Sequence, residues 1–324
     1  MKRLLVTQRL FEDTIPTAFQ GSSIEVDVRD AREPLDPGDL ALLLKRYHGV
    51  ICLLTDRLDG SVLEENPQLE VISNVAVGYD NIDVPVARRL GITVTNTPDV
   101  LTETTADLTL ALMLAVARRL SEADSFVRSG SWRSWELSPA LMGVNLYGKT
   151  LGLFGMGRIG SAVARRAAHG FGMRILYTSR TPLPQKEERE LGATRVNFDT
   201  LVRSTDVLSL HAPLTPETRH VVGSDQLAAM RPSAILVNTA RGPLVDESAL
   251  ADALAGSEIW GAGLDVFEDE PRVHPRLLAL RERVVLAPHV GSATIETRRR
   301  MAEIAAREAR AVLEGRAPSH PVST

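Results

Sequence analysis

Residues 149–160, KTLGLFGMGRIG, run an apolar strand over 151–154 straight into Gly155-x-Gly157-x-x-Gly160. Each glycine has its own physical reason. Gly155 permits a tight turn out of the strand, Gly157 lets backbone approach a pyrophosphate, and Gly160 lets the following helix pack close with its N-terminus aimed at phosphate. That helix is expected over 158–169, with Ile159, Val163 and Ala167 on one face at helical spacing. A second apolar strand over 175–177 closes the unit. Glycines spaced this way also occur in structural strand-turn-helix corners, but the flanking strand, helix and second strand make a dinucleotide the leading ligand.

The end of that second strand bears on which dinucleotide. An NAD site usually carries Asp or Glu there, accepting hydrogen bonds from the ribose hydroxyls. This chain reads Tyr177-Thr178-Ser179-Arg180-Thr181, with no carboxylate to repel a 2'-phosphate. Arg180, flanked by the hydroxyls of Ser179 and Thr181, suits such a phosphate through charge-assisted hydrogen bonds. The reading favours NADP(H) and leaves NAD(H) possible; the plainer alternative is a solvated loop arginine.

Composition narrows the class. A chain of 324 residues is long for one core, and its 44% hydrophobic and 24% charged content is that of a globular domain pair rather than a disordered chain. A formal net charge of -4 gives no electrostatic footprint for nucleic acid. The single cysteine, Cys52, lies in an apolar run and reads as a buried hydrophobe. The apolar stretch after Lys2 and Arg3 is far short of a signal peptide core, and the most apolar region, 108–117, is too short to span a bilayer. A cytoplasmic location is the default expectation.

Short apolar strands alternate with helical segments almost throughout, which argues for doubly wound parallel sheets covered by helices on both faces, an α/β architecture. Strands are expected at 4–7, 24–28, 50–54, 71–74 and 93–96, with helices at 37–47 and 84–90, and this first domain ends near Pro98. A long helix follows, with Thr104 as its N-cap; its apolar residues over 106–117 cover most of its circumference, as suits a buried element between domains. Further strands are expected at 207–211, 235–239, 261–266 and 284–287, and a last helix at 294–313 returns to the first domain. The substrate domain is thus 1–98 plus 290–324, and the dinucleotide domain 99–289.

Hydride transfer to a carbonyl requires a proton donor at oxygen, a cation to hold the substrate, and a group that tunes the donor. Three residues end successive strands of the nucleotide-binding half: Arg241 in NTARG, Glu270 in DVFEDEP and His289 in APHVGS. Ligands of doubly wound sheets bind at the carboxyl ends of strands, so all three suit one crevice. Each has a plainer reading: His289 as a strand-end cap, Glu270 as one acid of an acidic loop, Arg241 as a partner of Asp246.

With these motifs in order, from NVAVGYD at 74–80 through the glycine loop to PHVGS at 288–292, the chain resembles the D-isomer-specific 2-hydroxyacid dehydrogenase family nearly end to end, and within it is most similar to the glyoxylate/hydroxypyruvate reductases. The resemblance implies a flavodoxin-like substrate domain, a Rossmann dinucleotide-binding domain, and NAD(P)-dependent reduction of a small 2-oxo acid. It implies that His289 is the general acid, a task suited to a group whose ordinary pKa is about 6.5. Glu270, taken over Asp269 because it directly precedes the proline, would hold the other ring nitrogen. Arg241 would grip carboxylate and keto oxygen with its planar fork. The backbone of Val77 and Gly78 would receive the substrate carboxylate. Thr105, Gly155, Gly157, Arg158, Ile159, Gly160, Ser179, Arg180, Thr181, Pro213, Thr239, Ala240, Arg241, Asp265, His289 and Gly291 would contact the cofactor, Asp265 through the carboxamide. His211 reads as a satisfied strand-end histidine. No metal ligand set is read.

In similar reductases the segment matching 129–139, SGSWRSWELSP, crosses a two-fold interface, and a tryptophan matching Trp135 borders the partner's substrate pocket. A homodimer built on residues near 120–148 is therefore expected, the alternative being that Trp132 and Trp135 pack under their own loop. Rival functions separate on residues: a phosphite dehydrogenase would carry a lysine where this chain has Val77. A phosphoglycerate dehydrogenase often carries a C-terminal regulatory domain, and this chain stops soon after its last helix. A dinucleotide-sensing corepressor on the same scaffold would keep the whole constellation.

Overall fold

The computed structural model describes residues 1–31, 33–137 and 140–322. Its contacts divide the chain into two compact units, Met1–Leu101 with Ala293–Thr324, and Thr102–Ser292.

The first unit is built on five strands: β1 (Arg3–Val6), β2 (Glu25–Val28), β3 (Gly49–Cys52), β4 (Val71–Asn74) and β5 (Thr93–Thr95). They pair in parallel in the order β2-β1-β3-β4-β5, the flavodoxin-like arrangement. The sheet is covered on both faces, so β3 and β4 are buried at every position and read as continuous apolar runs. One face packs Leu40, Leu44, Val62 and Leu63 against Val50 and Ile72. The other receives the helix Ile295–Leu313, capped by the Thr294 hydroxyl accepting from Thr297 N, whose Ala305, Ala306, Ala309 and Leu313 meet Leu4, Val6, Ile51 and Val71. Fully burying one large apolar side chain is worth about 1.5–3 kcal/mol, so this helix is fastened by Met301, Ile304 and Leu313 together with its alanine stripe. The buried Glu308 on it accepts N–H bonds from Ser319 and His320 and faces His320 Nδ1 at 3.0 Å. That clip lays the final segment along β5, where Val322 N donates to Val94 O. The helix expected to reach Tyr47 ends at Leu44, because Tyr47 turns into the core through its N–H bond to Leu44 O.

The second unit carries seven parallel strands: β6 (Thr150–Phe154), β7 (Arg174–Thr178), β8 (Ala193–Arg195), β9 (Val207–Leu210), β10 (Ile235–Asn238), β11 (Gly261–Leu264) and β12 (Val284–Leu286). Their order is β12-β11-β10-β9-β6-β7-β8, so the winding reverses between β6 and β9. The crevice at that switch point, outside the carboxyl ends, is where such sheets bind ligands. The helices Thr102–Ala117 and Arg158–Phe171 cover one face through Leu112, Met113, Val116, Val163 and Ala167. The other face buries Leu227, Leu250, Leu254 and Leu277. The long helix starts at Thr102, so Thr104 lies in its first turn and is not its cap. Strands β9 to β12 end one or two residues earlier than expected, because His211, Thr239, Asp265, Val266 and Ala287 already belong to the loops that follow them.

Candidate active site

The glycine loop is enclosed by backbone on one side and open on the other. Gly155 has φ +97°, donates its N–H to Thr178 O at 2.8 Å, and leaves no room for a side chain: a Cβ would lie 2.6 Å from Ala212 N and His211 C. A Cβ at Gly160 would meet Gly155 O at 2.3 Å, whereas at Gly157 it would meet nothing within 4 Å. The chain therefore packs tightly behind the loop and keeps the Gly157 face clear. The helix Arg158–Phe171 begins there with no side-chain cap on its first N–H groups, so the loop fits a pyrophosphate by shape and by dipole.

At the end of β7, Ser179, Arg180 and Thr181 follow the strand with no carboxylate among them. The Ser179 hydroxyl turns back to Thr181 O. Arg195, paired with Tyr177 in the register of β7 and β8, donates its Nη2 to Ser179 O at 2.7 Å and to Arg180 O at 3.2 Å. This second guanidinium is invisible to a reading along the chain, because only the strand pairing brings it beside residue 180.

Arg241, Glu270 and His289 follow the adjacent strands β10, β11 and β12. Glu270 and His289 meet directly: Nδ1 lies 2.8 Å from Glu270 Oε2, while Oε1 accepts from Phe267 N at 2.9 Å. A carboxylate only accepts, so this contact places a proton on Nδ1. Of the neighbouring acids, Asp269 pairs with Arg272, and Glu268 faces His220 and accepts from Glu247 N. His289 has a left-handed backbone, φ +53°, and its N–H donates to Asp265 O at 2.8 Å.

Asp265 holds the rest of that loop. It is 1% exposed, Oδ1 accepts from Val290 N at 2.7 Å, and Oδ2 from Gly291 N at 2.8 Å. Burial pushes its carboxyl above the usual range, and the two N–H bonds pull against that. Its carboxylate thus ties down the backbone of the histidine loop, a role that residue type and spacing did not announce. Gly291 is close to Thr105, whose methyl and hydroxyl lie 3.3 Å from where a Cβ would stand. Thr105 is buried, its carbonyl accepts from Thr109 Oγ1, and that hydroxyl also meets Thr239 Oγ1 at 2.9 Å.

The Arg241 loop is fixed by backbone contact. Asn238 Nδ2 donates to Arg241 O at 2.8 Å, Asn238 Oδ1 accepts from Ala240 N at 3.0 Å, and Arg241 Nη1 donates to Ala240 O at 2.7 Å. A Cβ at Gly242 would lie 1.9 Å from the Phe267 carbonyl, so only glycine lets this loop press on the turn that leads to Glu270. Asp246 caps the helix Glu247–Ala255 through Ala249 N.

His211 lies under the glycine loop. One ring nitrogen meets Ser209 Oγ at 2.8 Å, the other is buried with no partner among the described residues, and burial lowers its pKa to about 3. It is a neutral packing residue rather than a satisfied one. Pro213 belongs to the next turn, where its carbonyl accepts from Thr218 Oγ1.

Val77 and Gly78 lie in the first unit, in the loop after β4. Within the expected interface segment, Trp132, Trp135 and Leu137 are 61%, 77% and 81% exposed, so the tryptophans do not pack beneath their own loop. Residues 138 and 139 of that segment lie outside the described residues. The helix Leu120–Arg128 buries none of its side chains. No helix among the described residues is long and apolar enough to cross a membrane.

Residues 110–291 match the model of the D-isomer specific 2-hydroxyacid dehydrogenase NAD binding domain. A glyoxylate reductase of Thermococcus litoralis is 48% identical over 99% of this chain and 96% of its own length. Among solved structures, a Thermus thermophilus protein superposes with a TM-score of 0.91 at 45% identity, covering 99% of this chain and all of the other. The NADPH-dependent glyoxylate/hydroxypyruvate reductase of Sinorhizobium meliloti, solved with NADP and malonate, gives a TM-score of 0.86 at 36% identity over 99% of this chain and 97% of its own.

Proposed function

The chain belongs to the D-isomer specific 2-hydroxyacid dehydrogenases, NAD(P)-dependent oxidoreductases, and from that premise we propose that it reduces glyoxylate, and hydroxypyruvate with it, to the D-2-hydroxy acid using NADPH in preference to NADH. The observation that carries the reading is the His289–Glu270 pair held on a loop that Asp265 organises.

A dinucleotide held by its pyrophosphate at the glycine loop would supply the hydride from its nicotinamide. His289 presents a proton from Nε2 to the carbonyl oxygen while Glu270 holds Nδ1 and keeps the ring from turning. Arg241 binds the acid's carboxylate and keto oxygen through its fork, polarising the carbonyl and fixing which face meets the cofactor. The backbone N–H groups of Val77 and Gly78 receive the carboxylate. Thr105, Thr239, Ala240, Pro213, Arg158, Ile159 and Gly291 line the dinucleotide, and Ser179, Arg180 and Thr181 take the 2'-phosphate, with the Arg195 charge beside them. Dimerisation through residues near 120–148 would cover Trp135 and its exposed apolar neighbours, which supports a homodimer as the working form.

Steady-state kinetics with glyoxylate, hydroxypyruvate, pyruvate and 3-phosphohydroxypyruvate, each against NADPH and NADH, test the reading. The highest kcat/KM is expected for glyoxylate or hydroxypyruvate with NADPH. A preference for 3-phosphohydroxypyruvate, or no turnover of any acid, overturns it. Arg180→Ala should erase the NADPH advantage and leave NADH kinetics near wild type; an unchanged ratio would return Arg180 to the solvated surface.

A further inference from the structure

Three successive peptide groups in the loop after β4 have their carbonyls tied inward. Thr97 N donates to Ala76 O at 2.9 Å, Asn96 Nδ2 to Val77 O at 2.8 Å, and Asn74 Nδ2 to Gly78 O at 2.8 Å. None of these bonds is cis, and a trans peptide carries its N–H on the edge opposite its carbonyl. Pinning the three carbonyls therefore sets the directions of three N–H groups, those of Val77, Gly78 and Tyr79. Among the described residues, none of the three meets an acceptor. Three consecutive N–H groups left open in one loop are donors available to an anion.

The anchors are themselves braced. Asn74 is buried, its Oδ1 accepts from Cys52 Sγ, and its Nδ2 also faces Asn81 Oδ1 at 3.3 Å. Asn81 in turn donates to Leu53 O and Asp56 O. Asn96 donates its backbone N–H to His320 O at 3.3 Å, within the final segment clipped by Glu308. Both asparagines are thus tied into rigid surroundings before any ligand arrives.

We propose that Asn96 and Asn74 are positioning residues that preset a cradle of three amides, Val77, Gly78 and Tyr79, for the carboxylate of the substrate. The inference rests on the reading that this loop receives the carboxylate, and it adds Tyr79 N–H as a third donor and the asparagine amides as the parts that aim all three. A cradle of donors alone accepts a carboxylate and rejects a carboxamide, whose NH2 would face N–H groups.

Two measurements test it and separate its failure from failure of the parent reading. A crystal structure of the wild type with NADP+ and oxamate should place the oxamate carboxylate on the N–H groups of Val77, Gly78 and Tyr79. Asn96→Ala should raise the glyoxylate KM about tenfold or more, as expected when pre-aimed charge-assisted bonds are loosened, while kcat, the NADPH Kd and Tm stay near wild type. Asn96→Asp keeps the shape without the donor and should move KM the same way. If oxamate sits on the amides but both variants keep the wild-type KM, the positioning role is overturned and the loop's role stands. If the carboxylate binds elsewhere, both fall.

Discussion

Asp265→Asn isolates the device that holds the loop of His289, the proposed general acid. Wild-type Asp265 accepts from Val290 N at 2.7 Å and Gly291 N at 2.8 Å from inside the protein. Asparagine keeps the shape but offers one acceptor and one donor, so one backbone N–H then faces an NH2 group. Loss of a charge-assisted bond costs about 1.5–3 kcal/mol, and a buried N–H left unsatisfied costs about 1–3 kcal/mol, two estimates that overlap. Removing a buried charge returns part of this, because burial already pushes the Asp265 carboxyl upward. A net loss of about 2–3 kcal/mol follows. It falls on the loop that carries His289, whose φ of +53° is unfavourable for an L residue and persists through the bonds around it. At about 1.4 kcal/mol per tenfold, kcat for glyoxylate should drop roughly 30- to 150-fold. NADPH oxidation followed by absorbance reads kcat, and NADPH fluorescence reads cofactor affinity, which should stay near wild type. A variant with wild-type kcat, or one that loses NADPH affinity while keeping kcat, would refute the argument and assign the carboxylate to the carboxamide instead.

Two further outcomes are expected. Arg241→Ala should raise the substrate KM about 100-fold, the worth of one or two hydrogen bonds to a carboxylate, with NADPH affinity retained; titrating oxamate into the NADP+ complex checks it. His211 has a pKa near 3 in the fold against an ordinary 6.5, so the unfolded chain binds a proton that the fold excludes, and stability falls as pH drops below about 6.5. Between pH 7 and pH 5 the wild type should lose about 2 kcal/mol more than His211→Asn in denaturant unfolding, and parallel curves would contradict the burial of a neutral ring.

The parts legible in the sequence were those that local rules govern. The alternation of apolar strands announced both parallel sheets, and the glycine spacing announced the loop, since Gly155 has no room for any other side chain. Glu270 and His289 each stand at a strand end recognisable in the sequence, and their contact depends on β11 and β12 being neighbours. Other features stayed hidden because they arise only from pairing and close approach. Arg195 reaches residue 180 across a strand register. Asp265 spends its carboxylate on N–H groups 25 and 26 residues away, and Gly242 answers to the Phe267 carbonyl, which no spacing rule connects to it. Thr104 carries a capping residue type, yet the helix begins at Thr102, where the chain leaves the first unit.

The most direct test compares glyoxylate-dependent NADPH oxidation by the wild type and by His289→Gln, with NADPH binding measured on both. Measurable turnover by the wild type and a loss of about 10²–10⁴-fold in kcat for the variant are expected, the usual worth of a positioned acid, with cofactor affinity retained. A variant that turns over within a few-fold of wild type would contradict the assignment of residue 289 as the proton donor.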